Sequence, residues 1–120
     1  MAYARTKRIG EEIKKIISSM ITMGEIKDFR VGSGGLVSIL EVDVTSDLKY
    51  AYIYTSVLGK DEDVVIQGLN NASGYIRKEV GRKINLRYTP EMIFKKDESI
   101  ERGVYMSKLI KDINGDNGEE

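Results

Sequence analysis

GLNNASGYIRKEVGRKINLRYTP, residues 68–90, is the stretch on which the fold is read. Val65, Leu69, Ala72, Ile76 and Val80 recur every three or four residues, a spacing that predicts one apolar helical face with Gly74 in the middle of the helix. At about 100° per residue, positions two apart lie nearly opposite each other. Gly74, Lys78 and Arg82 therefore line the outer face, with Arg77 and Lys83 on its flanks. A glycine inside a helix costs roughly 1 kcal/mol relative to alanine, invites a kink and leaves the backbone bare. Bare backbone at the head of a cationic row suits a phosphate chain. A solvated basic face that tolerates a glycine fits the same pattern.

Upstream of this helix the pattern changes period. Residues 36–45 read as a strand, with Leu36, Leu40, Val42 and Val44 on one face and Glu41, Asp43 and Thr45 on the other. Residues 46–49 form a turn. Residues 50–58 form the hairpin partner, with Ala51, Ile53 and Val57 on one side and Tyr50, Tyr52 and Tyr54 on the other. Three tyrosines on one face suit base stacking. They equally suit a half-exposed sheet, and the acidic residues expected beside them disfavour phosphate. Asp61, Glu62 and Asp63 open the next helix, where the macrodipole favours anions.

The ends complete the order. Residues 3–23 predict a helix with a stripe of Ile9, Ile13, Ile16, Ile17, Met20 and Ile21, stopped by Gly24. Arg5, Lys7 and Arg8 crowd its start, against the dipole, which fits either a screened terminus or an anionic partner. EIKDFRVGSGG, residues 25–35, reads as a flexible loop, since it lacks the Lys-Ser or Lys-Thr of a phosphate loop. PEMIFKK, residues 90–96, predicts a third strand whose lysines protect an edge. Residues 98–113 predict a last helix, with Met106, Leu109, Ile110 and Ile113 as its stripe, and the tail DNGEE is acidic.

The 120 residues are 41% hydrophobic and 32% charged, the balance of one ordinary globular domain. No run is apolar enough to span a bilayer, and no signal-peptide core opens the chain, so the expected location is the cytoplasm. The chain has no histidine or cysteine, which leaves no Ser-His-Asp or Cys-His arrangement, no disulfide and no zinc cluster. Asp61, Glu62 and Asp63 are adjacent and point in different directions on a helix, so they do not make a metal site. The expectation is a non-enzyme without catalytic residues, metal or cofactor.

A net charge of zero lacks the footprint of a general nucleic-acid binder. The zero is a sum of opposed patches, however. Residues 72–96 hold seven cations, Arg77, Lys78, Arg82, Lys83, Arg87, Lys95 and Lys96, against Glu79 and Glu91. Such a patch steers a polyanion whatever the total.

Helix, strand, strand, helix, helix, strand is the type II KH arrangement: an α+β domain with helices on one face of a three-stranded sheet. KH domains clamp nucleic-acid backbone with a GXXG loop between two helices. Here Ala72-Ser73-Gly74 stands in its place. With ASGYIRKEVGRKINLRYTPEMIF (residues 72–94), DLKYAYIYTSVLG (47–59), ESIERG (98–103), RIGEEIKKIISSMI (8–21) and EIKDFR (25–30), the chain resembles the bacterial ribosome-binding factor A family. That family carries an Ala-x-Gly kink in place of GXXG. It usually has proline where Phe29 stands, a departure that bears on the connector's shape.

The resemblance implies one KH-like domain over residues 1–113 with an acidic disordered tail over 114–120. It implies a monomeric assembly factor, without enzymatic activity, that binds the immature small ribosomal subunit through 16S rRNA. Such factors assist late maturation and processing of that RNA, above all in the cold, alongside other assembly factors such as a GTPase and away from any membrane. The RNA-facing residues it points to are Ala72, Ser73, Gly74, Arg77, Lys78, Arg82, Lys83 and Arg87, with Arg5, Lys7 and Arg8 extending the surface. Gly74 admits the backbone and the cations neutralise phosphates, which makes affinity salt-dependent. Two other readings stay open on the residues: a KH-like module for other single-stranded RNA or DNA, and a protein-interaction domain with a merely solvated basic face.

Overall fold

The computed structural model describes residues 2–32 and 35–97. Its elements are α1 (Ala2–Thr22), α2 (Phe29–Gly32), β1 (Leu36–Val44), β2 (Tyr50–Leu58), α3 (Glu62–Asn71), α4 (Ser73–Lys83) and β3 (Glu91–Lys96). The helix expected over 98–113 and the acidic tail lie outside the described residues.

Two turns of evenly spaced isoleucine make α1 an amphipathic helix, and Ile13, Ile17 and Met20 are fully buried. Each such side chain contributes about 1.5–3 kcal/mol of transfer free energy. The stop at Gly24 is a Schellman motif. Gly24 takes φ +70°, its N–H donates to Ile21, and the N–H of Glu25 donates to Met20. Gly10 sets how closely α1 lies on β1, because a Cβ there would stand 2.6 Å from the carbonyl oxygen of Val42.

The sheet order is β1-β2-β3, with β1 and β2 antiparallel and β2 and β3 parallel. The inward residues of β2, Ala51, Ile53, Thr55 and Val57, are buried. They meet Ile13, Leu69, Ile76 and Phe94 in one core beneath α1, α3 and α4. The α+β arrangement with helices on one sheet face is thus the one expected.

Strand β1 departs from its expected faces. Its pairing slips between Ile39 and Glu41, which leaves Leu40 as the extra residue of a β-bulge. One inserted residue reverses the alternation. Val37 and Ile39 face inward before the bulge, opposite Val57 and Thr55, and Val42 and Val44 face inward after it, opposite Ile53 and Ala51. Leu36 and Leu40 are exposed, and Ile39 takes the core position that period-two reading had assigned to Leu40.

The connector is also not a simple loop. The α2 turn is held by N–H donation from Val31 and Gly32 to the carbonyl of Asp28. Asp28 bonds the Arg30 guanidinium at 2.9 and 2.6 Å and accepts from the Arg30 N–H at 2.9 Å. That knot packs on α3 at Gly68, where a Cβ would stand 2.9 Å from the Cβ of Arg30.

Asp61 caps α3 by accepting from the Val64 N–H. The long helix read from the sequence is two helices. The break falls at Ala72, at φ −92° and ψ 6°, and not at Gly74. Val65, Leu69, Ile76 and Val80 still form one buried row across the break. Helix α4 runs through Gly81 to Lys83.

Candidate nucleic-acid interface

The α3–α4 junction presents the expected triplet. Ala72 closes α3, with its N–H shared between the carbonyls of Gly68 and Leu69, and starts α4 by accepting from Ile76. Ser73 and Gly74 form the first turn of α4. Gly74 is exposed, and a Cβ built there would meet no atom within 4 Å. The protein itself therefore does not need the missing side chain, and the gap opens on solvent.

Beside the triplet lies a shallow recess of about 400 Å³ lined by Lys27, Asp28, Asn71, Ala72 and Tyr75. Asn71 Nδ2 donates to Asp28 at 3.4 Å, tying the junction to the connector. The one carboxylate in this recess is already neutralised. The Arg30 guanidinium and the Arg30 N–H hold the Asp28 carboxyl well below its usual range. Lys27 adds a cation that the sequence did not single out.

Down α4, Lys78, Arg82 and Lys83 are exposed. Arg82 contacts Glu79 at 3.1 Å, but its side chain stays 69% exposed, and such a surface pair is weak and screened. Arg77 does not belong to this open row. Its Nε donates to the carbonyl of Thr89 at 3.0 Å, and its guanidinium lies 5.4 Å from the centre of the Tyr88 ring.

The remaining cations separate into two places. Arg5 and Arg87 line one groove beside the 84–88 loop, and Arg5 and Arg8 line the next, along Ile84, Asn85 and Leu86. Lys7 stands apart, in a cleft with Glu11, Glu41 and Asp43. The eleven expected residues thus resolve into the triplet, the Lys78–Arg82–Lys83 row, the Arg77 clip, the Arg5–Arg8–Arg87 group and an isolated Lys7.

On the far sheet face Tyr50 and Tyr52 stack with centroids 6.4 Å apart, and Lys95 Nζ sits 4.8 Å from the Tyr52 ring centre. Glu41 and Asp43 pair in register with Tyr54 and Tyr52, so acid does stand beside the tyrosines. Lys95 is committed to Tyr52, and Lys96 bonds Asp63 at 3.3 Å. Among the described residues, no three acidic side chains gather where they could hold a metal ion, and no helix is long and apolar enough to cross a membrane.

Comparison with known proteins adds a family to this geometry. The family model described as ribosome-binding factor A matches residues 5–110. A ribosome-binding factor A from Clostridioides difficile is 52% identical over 119 residues, spanning 99% of this chain and 92% of that protein. The crystal structure of ribosome-binding factor A from Thermus thermophilus has the same fold, with a TM-score of 0.63 at 15% identity over 76% of this chain and 94% of that one. A Thermus thermophilus model fitted into a cryo-EM map of its complex with the 30S subunit aligns with a TM-score of 0.60 at 17% identity, over 74% and 91% of the two chains.

Proposed function

The chain belongs to the ribosome-binding factor A family, and from that premise we propose that it is a cytoplasmic, monomeric assembly factor for the small ribosomal subunit. It binds the immature subunit through 16S rRNA and assists late maturation and processing of that RNA, without enzymatic chemistry of its own. The observation that carries this reading is the open surface at Gly74 heading a row of exposed cations on α4. RNA backbone reaches the main chain where a side chain would hold it off, and Lys78, Arg82 and Lys83 neutralise the phosphates that follow. Such contacts position a protein without reading sequence. Specificity then comes from the shape of the rRNA site.

The test is co-sedimentation of the protein with small subunits across a salt series, beside a Lys78→Glu/Arg82→Glu variant. Wild type is expected to sediment with the subunit and to be released by salt, while the variant stays in the supernatant. Tight binding to short oligonucleotides without subunit binding would replace this reading with that of a general single-strand module.

A further inference from the structure

We propose that the groove between Arg5, the 45–50 turn and the 84–88 loop is a second RNA site, one that takes a single unstacked base of an RNA strand and its flanking phosphates. The proposal rests on the RNA-binding reading above and deepens it, since this groove lies apart from the Ala-x-Gly junction.

The groove encloses about 540 Å³, the size of a mononucleotide site rather than of a duplex surface. Its apolar lining comes from Leu48, Leu86 and Tyr88. Tyr88 is 52% exposed, the most open of the three exposed tyrosines among the described residues, with Tyr75 at 47% and Tyr50 at 39%. Arg77 supports the ring, with its own Nε anchored on Thr89. Exposed aromatic rings are usual platforms for splayed-out bases, with arginine adding cation–π attraction.

The rim carries Arg5, Lys49 and Arg87 against one carboxylate, Asp47. Asp47 Oδ1 accepts from Thr45 Oγ1 at 2.6 Å and from the Lys49 N–H at 3.0 Å. Oδ1 is therefore spent on the turn, and on this proposal Oδ2 is the oxygen that accepts from an amino group of a base. The three cations stand where phosphates on either side of that base would run.

The turn that builds this wall is held rigidly. Thr45 and Tyr50 exchange main-chain and side-chain bonds, and Leu48 is the one described non-glycine residue with positive φ, at 62°. A leucine in the left-handed region is strained, and strain of this kind collects at ligand sites. Leu48 and Lys49 of this turn both line the groove. The neighbouring groove shares Arg5 and Leu86 and adds Arg8 beside one carboxylate, Glu12, so two arginines line the way beyond the base.

The experiment measures affinity for small subunits over a salt series for wild type, Tyr88→Ala, Tyr88→Phe, Lys49→Glu/Arg87→Glu and Lys78→Glu/Arg82→Glu. Tyr88→Ala is expected to weaken binding roughly tenfold without changing the salt slope, because a stacked base releases no counterion. Tyr88→Phe keeps wild-type affinity. Lys49→Glu/Arg87→Glu, both on the exposed rim, loses affinity and about two units of slope, and this arm decides the matter if Tyr88→Ala does not fold. Wild-type affinity in both Tyr88→Ala and Lys49→Glu/Arg87→Glu, with binding lost in Lys78→Glu/Arg82→Glu, overturns the groove and leaves the assembly-factor reading standing. Absence of subunit binding by wild type overturns both. In a parallel titration, a short single-stranded RNA is expected to bind and the free nucleoside monophosphate to compete only weakly; saturation by the mononucleotide without strand binding overturns the proposal.

Discussion

The side-chain amide of Asn70 bonds twice to the main chain of Phe94, its Nδ2 donating to the carbonyl at 3.0 Å and its Oδ1 accepting from the N–H at 2.8 Å. Glu91 and Asp97 donate their N–H groups toward β2, so by parity the main-chain groups of Phe94 point to the side of β3 away from β2, the sheet's edge among the described residues. Asn70 thus copies a strand partner for one residue and closes an edge that would otherwise template pairing with another chain. The lysines of β3 had been expected to guard this edge, but Lys95 lies over Tyr52 and Lys96 pairs with Asp63.

Asn70→Leu should therefore cost about 2 kcal/mol in urea unfolding, since two main-chain groups lose their partner at a part-buried position. Asn70→Asp keeps an acceptor for the Phe94 N–H but loses the donor, and should fall between. A loss in Asn70→Leu no larger than that of an ordinary surface substitution would refute the edge-capping role.

Two glycines in helices should respond oppositely to alanine. Gly10→Ala places a Cβ 2.6 Å from the Val42 carbonyl oxygen, so α1 must lift off β1 and thermal stability falls despite a propensity gain of about 1 kcal/mol. Gly74→Ala meets open space and should leave the melting temperature unchanged or raised. On the proposed function its loss is in subunit affinity, because the new methyl group would stand where RNA backbone is proposed to approach. Paired melting and co-sedimentation measurements check both.

Acid should weaken the fold through Asp28. Its carboxyl is held below its ordinary value of 3.8 by Arg30, so the unfolded chain takes up the proton first as pH falls. The stabilisation is complete above about pH 5 and is lost as pH drops through the unfolded value toward the lower folded one. Asp47, held low by Thr45 and the Lys49 N–H, acts in the same window. In urea titrations at several pH values, Asp28→Asn should be less stable at pH 7 and should lose less on acidification.

The cations should separate by slope. Lys78→Gln should reduce the magnitude of the salt dependence of subunit binding by about one unit. Lys7→Gln should leave it unchanged, since Lys7 shares its cleft with Glu11, Glu41 and Asp43. Arg77→Gln should release the Tyr88–Thr89 clip, visible as faster hydrogen exchange in the 84–90 segment.

Much of this molecule was determined by its sequence alone, because the deciding signals are local. The stripe of α1 needs only 3.6-residue periodicity, the glycine stop at residue 24 needs only a left-handed cap, and the alternation of β2 needs only period two. The apolar row from Val65 to Val80 was legible through the helix break, and the Ala72-Ser73-Gly74 triplet with the cations after it marked the family and the candidate surface. Tertiary structure decided what depends on residues far apart. The bulge at Leu40 appears only when β1 is laid against β2, and it reverses which leucine and isoleucine are buried. The clearance at Gly10 depends on Val42, and the edge cap of Phe94 on a side chain 24 residues away. Arg77 left the cationic row because Thr89 and Tyr88 offered it partners, while Arg5 and Arg87 met across 82 positions of chain because α1 and the 84–88 loop converge. Periodicity fixes which face a residue occupies on its own element; only packing fixes what that face meets.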